Sequence, residues 1–209
     1  MKRLLFAIAA LMALGGAGSA EVAIAIGAGY GVDVTRYDDE CDIVGLSVDA
    51  PVFALDLGVF FGDGNLGLIG GVKASFPSEI EAERDDGAVF SERLDPSYAL
   101  NVQLGIGYRF FKDTRFLLLI GAGATVTSFS YTVDEYVTFK VVSLGAYGTV
   151  QGSYYFSKRI GVMLGIDCGY YFLPFLAQWV EDEGETEDMS EVFESSVYFD
   201  VRAGITFRL

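Results

Sequence analysis

From position 196 to position 209 the chain alternates without a break. Val197, Phe199, Val201, Ala203, Ile205, Phe207 and Leu209 form one set, and Ser196, Tyr198, Asp200, Arg202, Gly204, Thr206 and Arg208 stand between them. A period of two is the period of a β-strand, and this strand separates two environments. The same split recurs over about 22–35, 46–61, 65–76, 97–110, 115–129, 139–156 and 160–173. In the last of these, Ile160, Val162, Leu164, Ile166, Cys168, Tyr170 and Phe172 oppose Gly161, Gly165, Asp167 and Gly169. Eight such segments in one chain leave few folds open.

The polarity of the two faces narrows them further. Hydrophobic residues make up 52% of the chain, yet no run of 18 consecutive apolar residues exists beyond the first twenty. A helix cannot then cross a bilayer. What remains is a hydrophobic soluble β protein or a closed barrel, which pairs its whole backbone in lipid. The polar face is mostly Gly, Ala, Ser and Thr, too small for a solvated surface but suited to the crowded interior of an eight-stranded barrel. The apolar face carries no charge within any strand core, where Lys or Arg in lipid would cost about 2–4 kcal/mol. The expectation is an all-β fold: an eight-stranded antiparallel up-and-down transmembrane β-barrel, one domain over 21–209.

The connections fit that expectation. Those at 62–64, 112–114 and 157–159 are short, while those at about 36–45, 77–96, 130–138 and 174–195 are long or polar. Outer-membrane barrels have short periplasmic turns and long outer loops. Aromatic residues gather toward strand ends: Phe60, Phe61, Phe110, Phe111, Phe116, Tyr154, Tyr155 and Phe156 at one rim, and Phe76, Tyr98, Phe129, Tyr131, Tyr170, Tyr171 and Phe172 at the other. Two interfacial girdles are expected from them.

Residues 1–20 read as a signal peptide. Lys2 and Arg3 precede an apolar run from Leu4 to Leu14, and small residues lead to Gly18, Ser19 and Ala20. Export and an outer-membrane location follow as expectations. Cys41 and Cys168 are expected to stay unpaired, one in an acidic loop and the other on an apolar strand face. The net charge is −15, with 14 basic and 29 acidic residues and no histidine. That acidity excludes nucleic acid as a partner. Without histidine, the commonest general base and metal ligand is missing. No enzymatic activity, metal or cofactor is expected.

The phase of the alternation assigns Asp33, Asp56, Lys73, Arg109, Asp167, Asp200, Arg202 and Arg208 to the lumen. Asp167 and Arg202 fall at similar depth on neighbouring strands and are expected to pair. Balanced charge suits a filled interior with ion pairs; the alternative is a narrow channel gated by them. Most acids crowd the loops: Asp38, Asp39, Glu40 and Asp42 in the first, Asp85 and Asp86 among others in the second, Glu181, Asp182 and Glu183 among others in the fourth. A solvated surface is one reading, and divalent-cation bridging to surface lipids or docking of a basic extracellular partner is the sharper one. Phe175, Leu176 and Trp179 open the fourth loop as an apolar patch, expected to anchor at the interface, extend the strand or line a hydrophobic mouth.

With the run Gly105, Ile106, Gly107, Tyr108, Arg109, Phe110, the glycines at 121 and 123 and the terminal strand, the chain resembles the small eight-stranded outer-membrane β-barrel proteins over 21–209. These marks are shared across that superfamily. It includes membrane-anchoring barrels, adhesion-related surface-exposed barrels, and the porin-like outer-membrane protein W type, associated with passage of small hydrophobic compounds. The resemblance implies a monomer among outer-membrane lipids, with a structural or surface-interaction role, or else a narrow channel for small solutes. One departure is the last residue: such barrels end in Phe or Trp, and this chain ends in Leu209.

Overall fold

A computed structural model describes residues 20–37, 43–61, 64–84, 86–94, 97–133, 137–181, 186–188 and 193–209. Apart from Ala20, the expected signal peptide lies outside the described residues. So do Asp38, Asp39, Glu40, Cys41, Asp42, Asp85, Asp182 and Glu183, and the side chains of Leu176, Trp179 and Glu181.

The strands are β1 (Ala20–Tyr37), β2 (Ile43–Phe61), β3 (Leu66–Ser75), β4 (Glu79–Arg84), β5 (Val89–Arg93), β6 (Tyr98–Phe110), β7 (Phe116–Val133), β8 (Val137–Tyr155), β9 (Ile160–Glu181), β10 (Thr186–Asp188) and β11 (Phe193–Arg208). Eight of them close a barrel in the order β1-β2-β3-β6-β7-β8-β9-β11, and β11 returns to β1. Every pairing is antiparallel. Each strand turns its apolar set outward. Ile26, Phe53, Leu68, Leu104, Ile120, Val150, Leu164 and Ile205 are all exposed there, as a lipid-facing band requires. The outward apolar run covers 51–61 on β2 and 160–170 on β9, close to the roughly 9–11 residues that cross a bilayer as a tilted strand.

Several strands are much longer than that. β1, β2, β7, β8 and β9 have 18, 19, 18, 19 and 22 residues. The expected loops after the fifth and seventh barrel strands are thus partly strand. Here the patch at 174–180 continues β9, with register shifts at Val142/Ser143 and Leu144/Gly145 on the paired β8. Phe175 stands 61% exposed on this extension. The second long loop contains the β4–β5 hairpin, and β4 adds to the edge of β2 beyond the end of β3.

These extensions form a head at the long-loop end, and its wall parts into two leaves. The β6–β7 ladder stops at Tyr98↔Ser130 and the β9–β11 ladder at Tyr171↔Ser196. Above those points the upper parts of β11, β1 and β2 run with β4 and β5, while β7 and β8 run with β9 and β10. Among the described residues no ladder joins β5 to β7 or β10 to β11. The leaves meet through an apolar cluster: Tyr37, Leu46, Val48, Ile80, Ala82 and Leu94 on one side, Phe129, Tyr131 and Val141 on the other.

This corrects the girdle assignment. Phe60, Phe129, Tyr131, Tyr155 and Tyr171 are buried inside the barrel, because each has the inward parity of its strand. The outward rings are Phe61, Phe110, Phe111, Phe116, Tyr154 and Phe156 at the short-turn rim, and Phe76, Tyr98, Tyr170 and Phe172 at the other. Cys168 is a free thiol on the outward face of β9.

Candidate functional site in the filled lumen

Large inward side chains lie over glycines on the same or nearby strands. The Tyr198 ring occupies the space a Cβ on Gly169 would need, Phe60 covers Gly58 and Gly67, Ile69 covers Gly107 and Gly121, and Arg202 covers Gly29. The small inward residues are therefore floors for large partners, and this layering fills the interior.

At mid-height five charges meet. Lys73 from β3 reaches across the lumen to Asp167 of β9 and Asp200 of β11, each at 2.5 Å. Arg202 of β11 lies 3.0 Å from Asp167, 3.2 Å from Asp56 of β2 and 4.0 Å from Asp200. Asp167 and Asp200 are direct cross-strand partners. Like charges placed so repel, and Lys73 between them is what makes the pair tolerable. Asp167 is 0% exposed and Arg202 2%. The ammonium of Lys73 also sits 4.8 Å from the centre of the Tyr198 ring, which stacks on Tyr171 at 5.4 Å. Gln103 donates to the Tyr198 hydroxyl and Asn101 to that of Tyr171, while Thr125 donates to Asn101 at 3.0 Å.

Arg109 and Arg208 do not join that cluster. Both bind Glu21, at 2.6 and 2.8 Å, near the short-turn end. Arg109 stacks on Phe60 and Arg208 on Tyr155, each 4.3 Å from the ring centre. Arg109 also donates to the Gly64 carbonyl at 3.1 Å. Asp33 stands higher and accepts from Ser196. Sequence reasoning missed Glu21, which adjoins the expected cleavage point and breaks no strand pattern. It also missed Tyr147 and Met163, inward residues that only parity would have revealed.

Among the described residues, side chains thus fill the lumen at three levels: the apolar cluster of the head, the central charges, and the arginine–aromatic layer below. Two small cavities flank the central charges among the described residues. One of about 60 Å³ lies above the charges, lined by Asp33, Lys73, Asn101, Tyr131 and Asp200 among others. The other, about 40 Å³, lies below, with Glu21, Asp56, Gln151, Ser153 and Arg202 in its wall. Each has room for a few water molecules at most.

Of the acidic loop residues, Asp86 is exposed at the tip of the β4–β5 hairpin. The outer face of the same leaf carries Asp49, Glu79, Glu81 and Glu83, all exposed. A groove of about 420 Å³ there is lined by Arg36, Ser47, Glu81, Glu83 and Glu194 among others. Among the described residues no cluster of acids has the arrangement of a metal site.

An apolar belt, two aromatic rims and a packed polar lumen define an eight-stranded transmembrane barrel of the outer-membrane type. Solved structures of that type are similar to it. Neisserial surface protein A (NspA) superposes with a TM-score of 0.55 at 10% identity, over 90% of this chain and 98% of that one. OprG from Pseudomonas aeruginosa gives 0.53 at 13% identity, over 92% and 97%. A major outer membrane protein from Thermus thermophilus gives 0.52 at 12%, over 91% and 100%. At such identities the likeness is one of fold, and it does not single out the outer-membrane protein W type. No family model and no curated protein matches the sequence.

Proposed function

We propose that this protein is a non-enzymatic outer-membrane barrel with a structural and surface-interaction role, in which a filled lumen supports a protruding acidic head. The observation that carries the reading is the filling of the lumen by side chains at three levels among the described residues. A lumen filled in this way argues against a solute path, and the reading places the working surface on the head. Planar-bilayer recording tests this: the wild-type protein and Asp167→Asn are expected to show no unitary openings, and solute-dependent openings of the wild type would refute the reading. The two cavities flanking the central charges favour one second reading, a narrow channel that conducts when the cluster rearranges. Openings in Asp167→Asn alone would support it.

The occupant of the acidic head follows from charge. The 420 Å³ groove with Glu81, Glu83 and Glu194 suits a basic extracellular partner or divalent cations bridging to surface lipids. Calorimetry with calcium on the refolded protein separates these, since millimolar binding is expected of the cation reading alone.

A further inference from the structure

The short-turn end carries the opposite charge from the head. Its described turns bear Lys112, Arg115, Lys158 and Arg159 against one acid, Asp113, in a chain whose net charge is −15. Arg115, Lys158 and Arg159 are exposed. Among the described residues none of the three forms an ion pair. The turns are neighbours on the rim. Tyr155 donates its backbone N–H to the Arg115 carbonyl at 2.7 Å, and Arg208 donates to the Arg159 carbonyl at 2.8 Å. The basic residues therefore form one crescent along the ends of β6 to β9, reaching β11. The other half of the rim has only Gly64 and Asn65 among its described turn residues.

Directly beside this crescent stands the lower aromatic girdle. The rings of Phe110, Phe111 and Phe116 follow one another at 6.4 and 6.1 Å, with Tyr154, Phe156 and Leu209 exposed nearby. Phe111 holds a φ of 59°, in the left-handed region that non-glycine residues seldom adopt. Thr114 pins it, donating its N–H at 3.0 Å and its hydroxyl at 2.9 Å to the Phe111 carbonyl. Girdle rings sit at headgroup depth. Long basic side chains just beyond them place their charge among lipid phosphates while their stems cover apolar surface.

We propose that the exposed crescent of Arg115, Lys158 and Arg159 is a binding surface for the phosphate headgroups of anionic phospholipids. The leaflet at the short-turn end is then the anionic partner, and the acidic head is held away from it. Each basic side chain near an anionic surface contributes about fivefold in association, screened by salt.

Native mass spectrometry of the detergent-refolded full chain tests this, with phosphatidylglycerol and phosphatidylcholine supplied in equal amounts. The wild-type protein is expected to retain phosphatidylglycerol at least about tenfold over phosphatidylcholine. The triple variant Arg115→Gln, Lys158→Gln, Arg159→Gln is expected to lose the preference. A head variant, Glu79→Gln, Glu81→Gln, Glu83→Gln, is expected to keep it. Heat-modifiable gel migration checks that each folds, and Lys158→Gln and Arg159→Gln singly replace the triple should it fail. No preference in the wild type, an unchanged preference in the rim variants, or its loss in the head variant would overturn the proposal.

Discussion

Replacing Lys73 by Met should be the most damaging single change in the lumen. In the native barrel its ammonium bridges Asp167 and Asp200 at 2.5 Å each. At an effective dielectric of about 20, each contact is worth about 6–7 kcal/mol of gross attraction, most of it offset by desolvation. Methionine fills a similar volume but leaves two carboxylates facing each other across the β9–β11 ladder, with Arg202 alone among three acids. The expected loss is about 3–5 kcal/mol, the range for breaking a buried pair from one side. Asp200→Asn is the contrasting change. It balances the cluster at two acids and two bases, and Lys73 keeps Asp167, so the loss should stay under about 2 kcal/mol. The double variant leaves Arg202 touching both remaining acids and should be more stable than Lys73→Met alone, a positive coupling between the sites. Guanidinium unfolding in detergent micelles, followed by far-ultraviolet circular dichroism, measures all three. Equal losses for the two single variants, or a double variant worse than Lys73→Met, would refute the argument that Lys73 exists to separate like charges.

Other consequences are as specific. A Cβ on Gly123 would lie 2.2 Å from the Leu104 carbonyl oxygen, whereas one on Gly152 meets nothing closer than 3.8 Å. Gly123→Ala should therefore cost about 1–3 kcal/mol in the same unfolding assay, and Gly152→Ala less than about 0.5 kcal/mol. Glu21→Gln removes the shared partner of Arg109 and Arg208; because Glu21 is 28% exposed, the loss should be about 2 kcal/mol, below the range for fully buried pairs. Hydrogen exchange should find the amides of β5 and β10 exchanging faster than those of β3 and β9 at mid-barrel, since among the described residues the former have a ladder on one side and the latter on both. Equal protection would mean that the two leaves are joined.

Parity carried most of what the sequence disclosed. It distinguishes two faces wherever lipid stands on one side and a packed lumen on the other, and Asp56, Lys73, Asp167, Asp200 and Arg202 are inward residues by that rule alone. It weakens where the wall rises out of lipid. On β7 the outward residues become Ser128, Ser130 and Thr132, so the contrast between faces fades and the strand reads as loop. Composition misled where it was allowed to overrule parity, as with Phe129, Tyr131 and Tyr171, which look like girdle residues but point inward. Depth along adjacent strands brings Asp167 near Arg202, which the structure has at 3.0 Å. It could not bring in Lys73, because β3 lies across the lumen from β9 and β11, and no local pattern records which side chain reaches over the barrel.

The break between the leaves has a local cause and a wider consequence. After β5 the chain leaves the ladder: the Leu94 N–H goes to the Ser78 carbonyl at 3.0 Å, and the Thr132 N–H is taken by the Ser97 hydroxyl, also at 3.0 Å. A side chain thus substitutes for a strand at the point where the barrel stops being closed. Above it, the described residues of the two leaves meet in the apolar cluster, so the head has a small core of its own. Substitutions on its acidic outer face, such as Glu81 or Glu83, touch neither that core nor the charge cluster below. The head can therefore change its surface chemistry at little cost to the barrel, which is the physical condition for a membrane anchor whose exposed end meets other molecules.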